Sequence, residues 1–343
     1  MATKIGEPAS KAGLPGPSKE IPEEGWVWFE GSIVPFADAK VSIATNALQY
    51  GTGVFEGIRA YWNPAHEELY VFRLREHFER MTRSVRILRG SLPGDPARLS
   101  AMTVELLRKN AFRSDVYIRP LAYKAARSVK VALRDLRDEF AMYAFPMGDY
   151  LSTGGLAAQT SSWRRISDEV IPARGKLTGS YLNTALAVDE AQDHGAEEAI
   201  FLTRDGHVSE GGGANIFMVR DGALVTPPCT ADILEGVTRD TIAVIAAELG
   251  WPLVEREIDR TELYVCEEIF FCGTGAQVAP CVKVDGRPVG DGAIGPVSRA
   301  IGERYMAIAR GDDTAHAEWR TAVYGGGAPI RAGGARSGET VRP

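Results

Sequence analysis

Cysteine is scarce and scattered. Cys229, Cys266, Cys272 and Cys281 are four in 343 residues, and no two form a CxxC pair. That excludes a disulfide framework and predicts reduced thiols in a cytoplasm. Histidine is as thin: His66, His77, His194, His207 and His316 lack ligand spacing to one another or to a cysteine, so no metal site is expected. Basic charge is not in excess, the formal net charge being −6. This argues against nucleic acid or an anionic membrane as partner, since both need a basic face. No stretch is apolar and long enough to span a bilayer. The first residues lack a positive start followed by an apolar run, so no signal peptide is expected. No internal repeat is visible at solenoid periods.

What is there suits a globular protein. Hydrophobic residues make up 45%, and the length suggests two domains around sizeable cores. Residues 1–24 and 325–343 are rich in Gly with Pro, Lys and Glu at one end and Ala and Arg at the other, and read as a mobile arm and a flexible tail. Between them, Trp26-Val-Trp-Phe, Gly31 and Ile33-Val-Pro-Phe read as a hairpin and Glu68–Phe72 as a strand. Leu74, Phe78, Met81, Val85 and Leu88 give one helix an apolar face, which Gly90 ends. Asp95-Pro96 opens a second helix, and strands follow near 115–124 and 139–146. This half, 25–146, is predicted to be a small α+β domain. Residues 147–155 read as a linker. The second half, 156–324, is predicted to hold a strand ending at Trp163, a helix near 180–194, strands at 198–203 and 215–220, and a helix over 238–249. A capping box at Asp259–Glu262, a strand at 268–272 and a last helix from Gly295-Pro296 complete it.

Six segments could carry chemistry. Lys176, in Ile171-Pro-Ala-Arg-Gly-Lys-Leu-Thr-Gly-Ser-Tyr181 between a strand and a helix, suits either a Schiff base with an aldehyde cofactor or a surface charge. Val208-Ser-Glu210-Gly-Gly-Gly-Ala-Asn215 brings three glycines beside a carboxylate. It is either a close backbone approach with an acid able to pair with a pyridinium, or a turn with a solvated Glu. Leu234-Glu-Gly-Val237-Thr238 precedes an apolar helix; its free amides suit a phosphate, and Thr238 suits either that or N-capping. Gly273-Thr274-Gly275 is an anion-binding turn or merely a tight one. Tyr50-Gly-Thr-Gly-Val-Phe55-Glu-Gly-Ile-Arg59 ends on an arginine that either forks onto phosphate or lies at the surface. Tyr117 and Arg119 alternate on one strand face, to hold a carboxylate or to make an edge ion pair.

Taken together and in this order, these runs, with Tyr117-Ile-Arg-Pro120 and Asn215-Ile-Phe217, resemble the fold type IV pyridoxal 5′-phosphate (PLP) enzymes, and among them the branched-chain amino acid aminotransferases. The resemblance runs from about Trp26 to about Arg310. It implies a small α+β domain and a larger pseudo-barrel domain, an α+β / α/β two-domain chain paired as a homodimer. Lys176 resembles the Schiff-base lysine and proton shuttle, Glu210 the partner of the pyridine nitrogen and Tyr181 the tyrosine bonded to the ring hydroxyl. Arg59, Val237, Thr238 and Thr274 resemble the phosphate cup, with Leu234 against the ring. Tyr117 and the Thr274-Gly275 backbone resemble the substrate-carboxylate site. Arg119 resembles the group for the side-chain carboxylate of glutamate, and Tyr50 and Phe55 resemble walls of the side-chain pocket. The implied reaction moves an amino group between a branched-chain amino acid and α-ketoglutarate.

Three positions depart from the family pattern. Ala214 stands where these enzymes usually carry Glu, and Met147 where an aromatic often follows Phe-Pro. Lys130, in Ser128–Arg134, replaces a Gly-rich border of the pocket with either a new entrance or surface charge. These departures leave transamination of D-amino acids or (R)-amines as the alternative. A lyase of the same fold, like aminodeoxychorismate lyase, is another, and so is a non-catalytic protein that kept the fold.

Overall fold

In the helical segments, apolar periodicity and capping fix the boundaries. The computed structural model describes residues 21, 23–148 and 154–325. The arm expected over 1–24 and the tail over 325–343 fall almost wholly outside the described residues, as does the middle of the expected linker. Helix α1 is Asn46–Tyr50, α2 Leu74–Ile87 and α3 Pro96–Asn110. Asp95 caps α3, its side chain accepting from Arg98 N at 2.8 Å, with Pro96 in the first turn. Leu74, Phe78, Met81 and Val85 of α2 are buried together with Leu99, Met102 and Leu106 of α3 in one core. Helices α4 (Tyr181–Asp193), α5 (Val237–Glu248) and α6 (Pro296–Arg310) follow.

The strands form two sheets. β1 (Trp26–Phe29), β2 (Ser32–Pro35), β3 (Gly53–Phe55), β4 (Ile58–Asn63), β5 (Glu68–Phe72), β6 (Val116–Lys124) and β7 (Asp138–Pro146) build the first, antiparallel throughout. The second, which curls into a half-barrel, holds β8 (Leu156–Arg164), β9 (Glu198–Leu202), β10 (Val208–Gly211), β11 (Asn215–Arg220) and β12 (Ala223–Thr226), with β13 (Leu253–Glu255), β14 (Glu268–Gly273), β15 (Gln277–Val284) and β16 (Arg287–Pro288). It is mixed: β8 pairs in parallel with both β9 and β15. The change of sheet between β7 and β8 supports a proposed domain boundary at 147–155. Its far end differs from expectation, because β17 (Arg320–Ala322) returns to pair with β5 of the first sheet. Buried Glu68 holds that return, accepting from Val323 N at 2.9 Å and Tyr324 N at 2.7 Å.

Candidate active site

Lys176 lies where the two sheets meet. Its backbone is fixed at both ends: its N–H donates to Ser84 Oγ of α2 at 3.2 Å, and its carbonyl accepts from Phe55 N at 3.1 Å. The side chain is left to reach inward. Nζ donates to the Tyr181 hydroxyl at 2.7 Å and stands 4.9 Å from the centre of the Phe55 ring, which meets the Tyr181 ring edge-on at 4.7 Å. A lysine five residues before the first residue of α4 therefore shares a hydrogen bond with that residue across the intervening single turn.

Along β6 buried and half-buried positions alternate, which turns Tyr117 and Arg119 to the same face. Arg119 Nη2 donates to the Tyr117 hydroxyl at 2.9 Å, and its guanidinium lies 4.4 Å over Phe55. Lys176, Tyr181, Phe55, Tyr117 and Arg119 are thus one contact group. The Nε of Arg119 is buried with no partner among the described residues.

Glu210 is buried on β10. It pairs with Arg165 Nη2 at 2.8 Å and accepts from Asn215 Nδ2 and Leu234 N, each at 3.0 Å. Burial pushes its carboxyl above the usual carboxylate range, against the pull of Arg165, the Leu234 N–H and Lys176. Two of the three glycines beside it, Gly211 and Gly212, leave no room for a side chain, whereas a Cβ on Gly213 would meet nothing. A Cβ on Gly212 would lie 2.6 Å from Glu198 Oε1, which accepts the Gly212 N–H at 2.9 Å. A Cβ on Gly236 would collide with Asn215 Oδ1.

Arg59 is 1% exposed on β4, opposite Tyr117 in register. Nη1 donates to Gly148 O at 2.9 Å, while Nε and Nη2 are buried without a partner among the described residues. Two unmatched guanidinium donors in the interior are costly unless an anion completes them. Leu234 reaches the same site through its amide on Glu210 and its carbonyl, which accepts from Asn215 Nδ2 at 3.0 Å. Val237 and Thr238 are buried in the first turn of α5, whose N-cap is Gly236 and lacks a side-chain cap. Capping by Thr238, one of its two expected readings, is therefore not what the structure has. The Thr274-Gly275 turn joins β14 to β15 beside the glycine run, with Gly273 packed against Gly213 and Ala214. Tyr50 sits at the rim, 40% exposed, donating to Val129 O at 3.2 Å.

Several residues of the site were not singled out in the sequence. Arg165 is one; nothing in the Trp163-Arg-Arg165 run points to an acid 45 residues on. Glu56, His77 and Arg80 form a buried cluster behind Phe55. The only signal for Glu56 was a charge set among apolar and glycine neighbours in the Tyr50–Arg59 run. Of the departures, Lys130 has a described geometry. Its ammonium turns back to Arg134 O at 3.0 Å and Asp135 at 3.3 Å in a loop exposed on the single chain, which supports the surface-charge reading. The backbone of that loop is anchored by Asn46 Nδ2 at Ser128 O and Lys130 O.

Known proteins resemble this chain over most of its length. A model of the amino-transferase class IV family matches residues 53–284, more than half of the chain. A probable branched-chain-amino-acid aminotransferase of Aquifex aeolicus is 44% identical, over 87% of this chain and 97% of its own. The branched-chain aminotransferase of the archaeon Thermoproteus uzoniensis, solved with norvaline, superposes with a TM-score of 0.85 at 45% identity, covering 88% of this chain and 99% of that one. The branched-chain amino acid aminotransferase of Thermobaculum terrenum, solved in its PLP form, gives 0.84 at 38%, covering 88% and 99%.

Proposed function

The chain belongs to the class IV aminotransferases, PLP enzymes, and from that premise we propose that it moves an amino group between a branched-chain L-amino acid and α-ketoglutarate, with Lys176 as base and anchor. The observation that carries the reading is Arg59. A buried guanidinium with two donors unmatched among the described residues fits the phosphate of PLP, and an acid, a tyrosine hydroxyl and a lysine amine are at hand to meet the rest of the ring. Val237, Thr238 and Thr274 complete the phosphate cup, with Leu234 against the ring.

When bound, PLP supplies an aldehyde carbon that takes up the amino group and a pyridinium that draws electrons from the substrate α-carbon. The chain's own residues do the rest. Lys176 Nζ would remove the α-proton of the donor and return it across the amino nitrogen to the carbon two atoms away, pivoting on a backbone that Ser84 and Phe55 hold still. Tyr181 OH receives Nζ at 2.7 Å and sets the direction from which that swing begins. Glu210 Oε keeps a proton on the ring nitrogen, and Arg165 keeps Glu210 an acceptor. Tyr117 and the Thr274-Gly275 amides bind the α-carboxylate. Arg119, whose buried Nε has no partner among the described residues, takes the side-chain carboxylate of glutamate, and Phe55 and Tyr50 wall the side-chain pocket.

The donor is tested by a half-reaction without acceptor: loss of the visible cofactor absorbance with L-leucine, D-alanine or (R)-1-phenylethylamine. L-leucine is expected to react at least ~100-fold faster than either competitor, the discrimination a shaped apolar pocket with a fixed carboxylate clamp can give. Faster reaction with D-alanine or the amine would move the substrate to the alternative class and make Ala214 the first residue to change.

The working form in this reading is a homodimer in the cytoplasm. Four free cysteines agree with a reducing compartment. For the dimer, exposed apolar side chains gather on segments that hydrogen bonds tie together beside the site. Ile43 (88% exposed) precedes α1 and Leu48 lies in it, Val129 and Val131 (81%) lie in the loop that Asn46 and Tyr50 anchor, and Leu182 (68%) is in the first turn of α4, whose preceding turn binds Gly51 through Thr178. A patch of this kind favours burial against a second copy. Ile43→Lys with Leu182→Lys is expected to halve the sedimentation mass. An unchanged dimer would place the interface elsewhere.

A further inference from the structure

Behind Phe55 lies a buried charged cluster to which the reaction above gives no part. Glu56 is fully buried in the turn from β3 to β4, and His77 and Arg80, 2% and 4% exposed, come from α2. Arg80 grips the carboxylate with both prongs, Nε at 2.8 Å and Nη2 at 2.7 Å, and His77 Nδ1 donates to it at 2.9 Å. Burial alone would raise the Glu56 carboxyl; Arg80 and His77 hold it well below the usual range. The third donor of Arg80, Nη1, reaches across to the second sheet's side and binds Glu235 O at 3.1 Å.

Each end of this cluster touches the active site one residue away. Phe55, next to Glu56, binds the carbonyl of Lys176 through its N–H and lines the lysine with its ring. Glu56 N donates to Pro120 O at 3.0 Å, next to Arg119. Ser84, one turn along α2 from Arg80, receives the Lys176 N–H. Leu234, next to Glu235, donates to Glu210. A continuous set of contacts therefore runs from Lys176 through Phe55, Glu56, Arg80 and Glu235 to Leu234 and Glu210. A buried ion pair contributes little net stability over an apolar replacement, but a forked arginine fixes geometry.

We propose that Glu56 is a positioning residue that, through Arg80, sets the distance between the Lys176 amine and the Leu234–Glu210 side of the cofactor site. It never meets the substrate. Its effect falls on the rate and on cofactor grip, because small misplacement of a reacting group is far more damaging to turnover than to substrate binding.

The inference rests on the transaminase reading, and its test separates the two. Glu56→Asp keeps the charge but draws the carboxylate back by one methylene. Arg80→Lys keeps the charge but loses the fork and the reach to Glu235, and Glu56→Gln with Arg80→Gln removes both charges at matched size. Each folded variant is assayed for kcat and KM with L-leucine. Stripped protein is titrated with PLP for its dissociation constant. Kcat is expected to fall ~20-fold or more in Glu56→Asp and in the double variant, KM to stay within ~3-fold, and PLP affinity to drop ~5-fold, with Arg80→Lys between native and double. Native kcat and PLP affinity within twofold in any folded variant overturns the proposal. Failure of all three to fold overturns it equally, since the cluster would then be a stability element. Native protein that does not turn over L-leucine would sink the transaminase reading instead and leave the PLP titration to decide this one.

Discussion

Lys176→Ala is expected to lower turnover at least ~10⁴-fold while leaving the fold intact, because the truncation removes the one group that both carries the proton and holds the cofactor. Both backbone contacts of residue 176, to Ser84 Oγ and from Phe55 N, survive in alanine. The lost side-chain contacts are a hydrogen bond to Tyr181 and cation–ring contacts with Phe55 and Tyr181. The melting temperature should therefore move by only a few degrees, as for loss of ~1–2 kcal/mol. Two measurements check this. The first is the single-turnover rate with L-leucine. The second is retention of cofactor after gel filtration, which native protein should keep and the variant should lose to a much greater degree. A variant that turns over at the native rate would remove Lys176 from the reaction altogether. The smaller Tyr181 and Arg59 contributions are not enough to produce an effect of this size, since each holds or orients and neither carries the α-proton.

The family resemblance, not local spacing, points to Lys176, and why its supports are not legible in the sequence follows from the range of the interactions. Helices α2 and α3 were legible because their apolar spacing and the Asp95-Pro96 cap are local. The shared face of Tyr117 and Arg119 was legible because strand alternation is local too. Strand β15 was not, since Pro280 sits in its middle and a proline argues against a central strand. In the structure, Pro280 opposes Phe270 of β14, and pairing with β8 begins only at Cys281, so on that side the proline leaves no hydrogen bond missing. Helix α1 is five residues long, too short to show a period. Strand β4 carries a buried Arg59, which disguises an otherwise apolar run. Arg165 and Arg80 act across 45 and 24 residues on Glu210 and Glu56. No spacing rule joins them, and only the packing of β8 on β9 and of α2 on β3 brings them together. The family resemblance reached the groups that would face the cofactor but not the second layer that aims them.

Glu210→Gln separates electronic tuning from binding. The native carboxylate has three donors, Arg165 Nη2, Asn215 Nδ2 and the Leu234 N–H, and is pushed up by burial against their pull. An amide of the same size keeps one oxygen. Turned toward Asn215 and Leu234, that oxygen satisfies both, but its NH₂ then confronts Arg165, donor against donor. Turned the other way, it leaves the Leu234 amide and Asn215 unmatched. In neither pose can a neutral amide hold a proton on the ring nitrogen as a carboxylate does, so the ring loses its pull on the α-carbon electrons. Kcat is expected to fall ~10²–10³-fold, or about 3–4 kcal/mol of transition-state stabilisation. PLP affinity should fall only ~3-fold, because Arg59 and the first turn of α5 grip the phosphate independently. Titrating stripped variant with PLP and then measuring the rate at saturation tells the two effects apart. If saturating PLP restores the native rate, Glu210 only helps to hold the cofactor and the tuning role is wrong. If the rate stays low at full occupancy, the buried Arg165–Glu210 pair is what keeps the ring able to accept charge, and Arg165→Met should then reproduce part of the same loss.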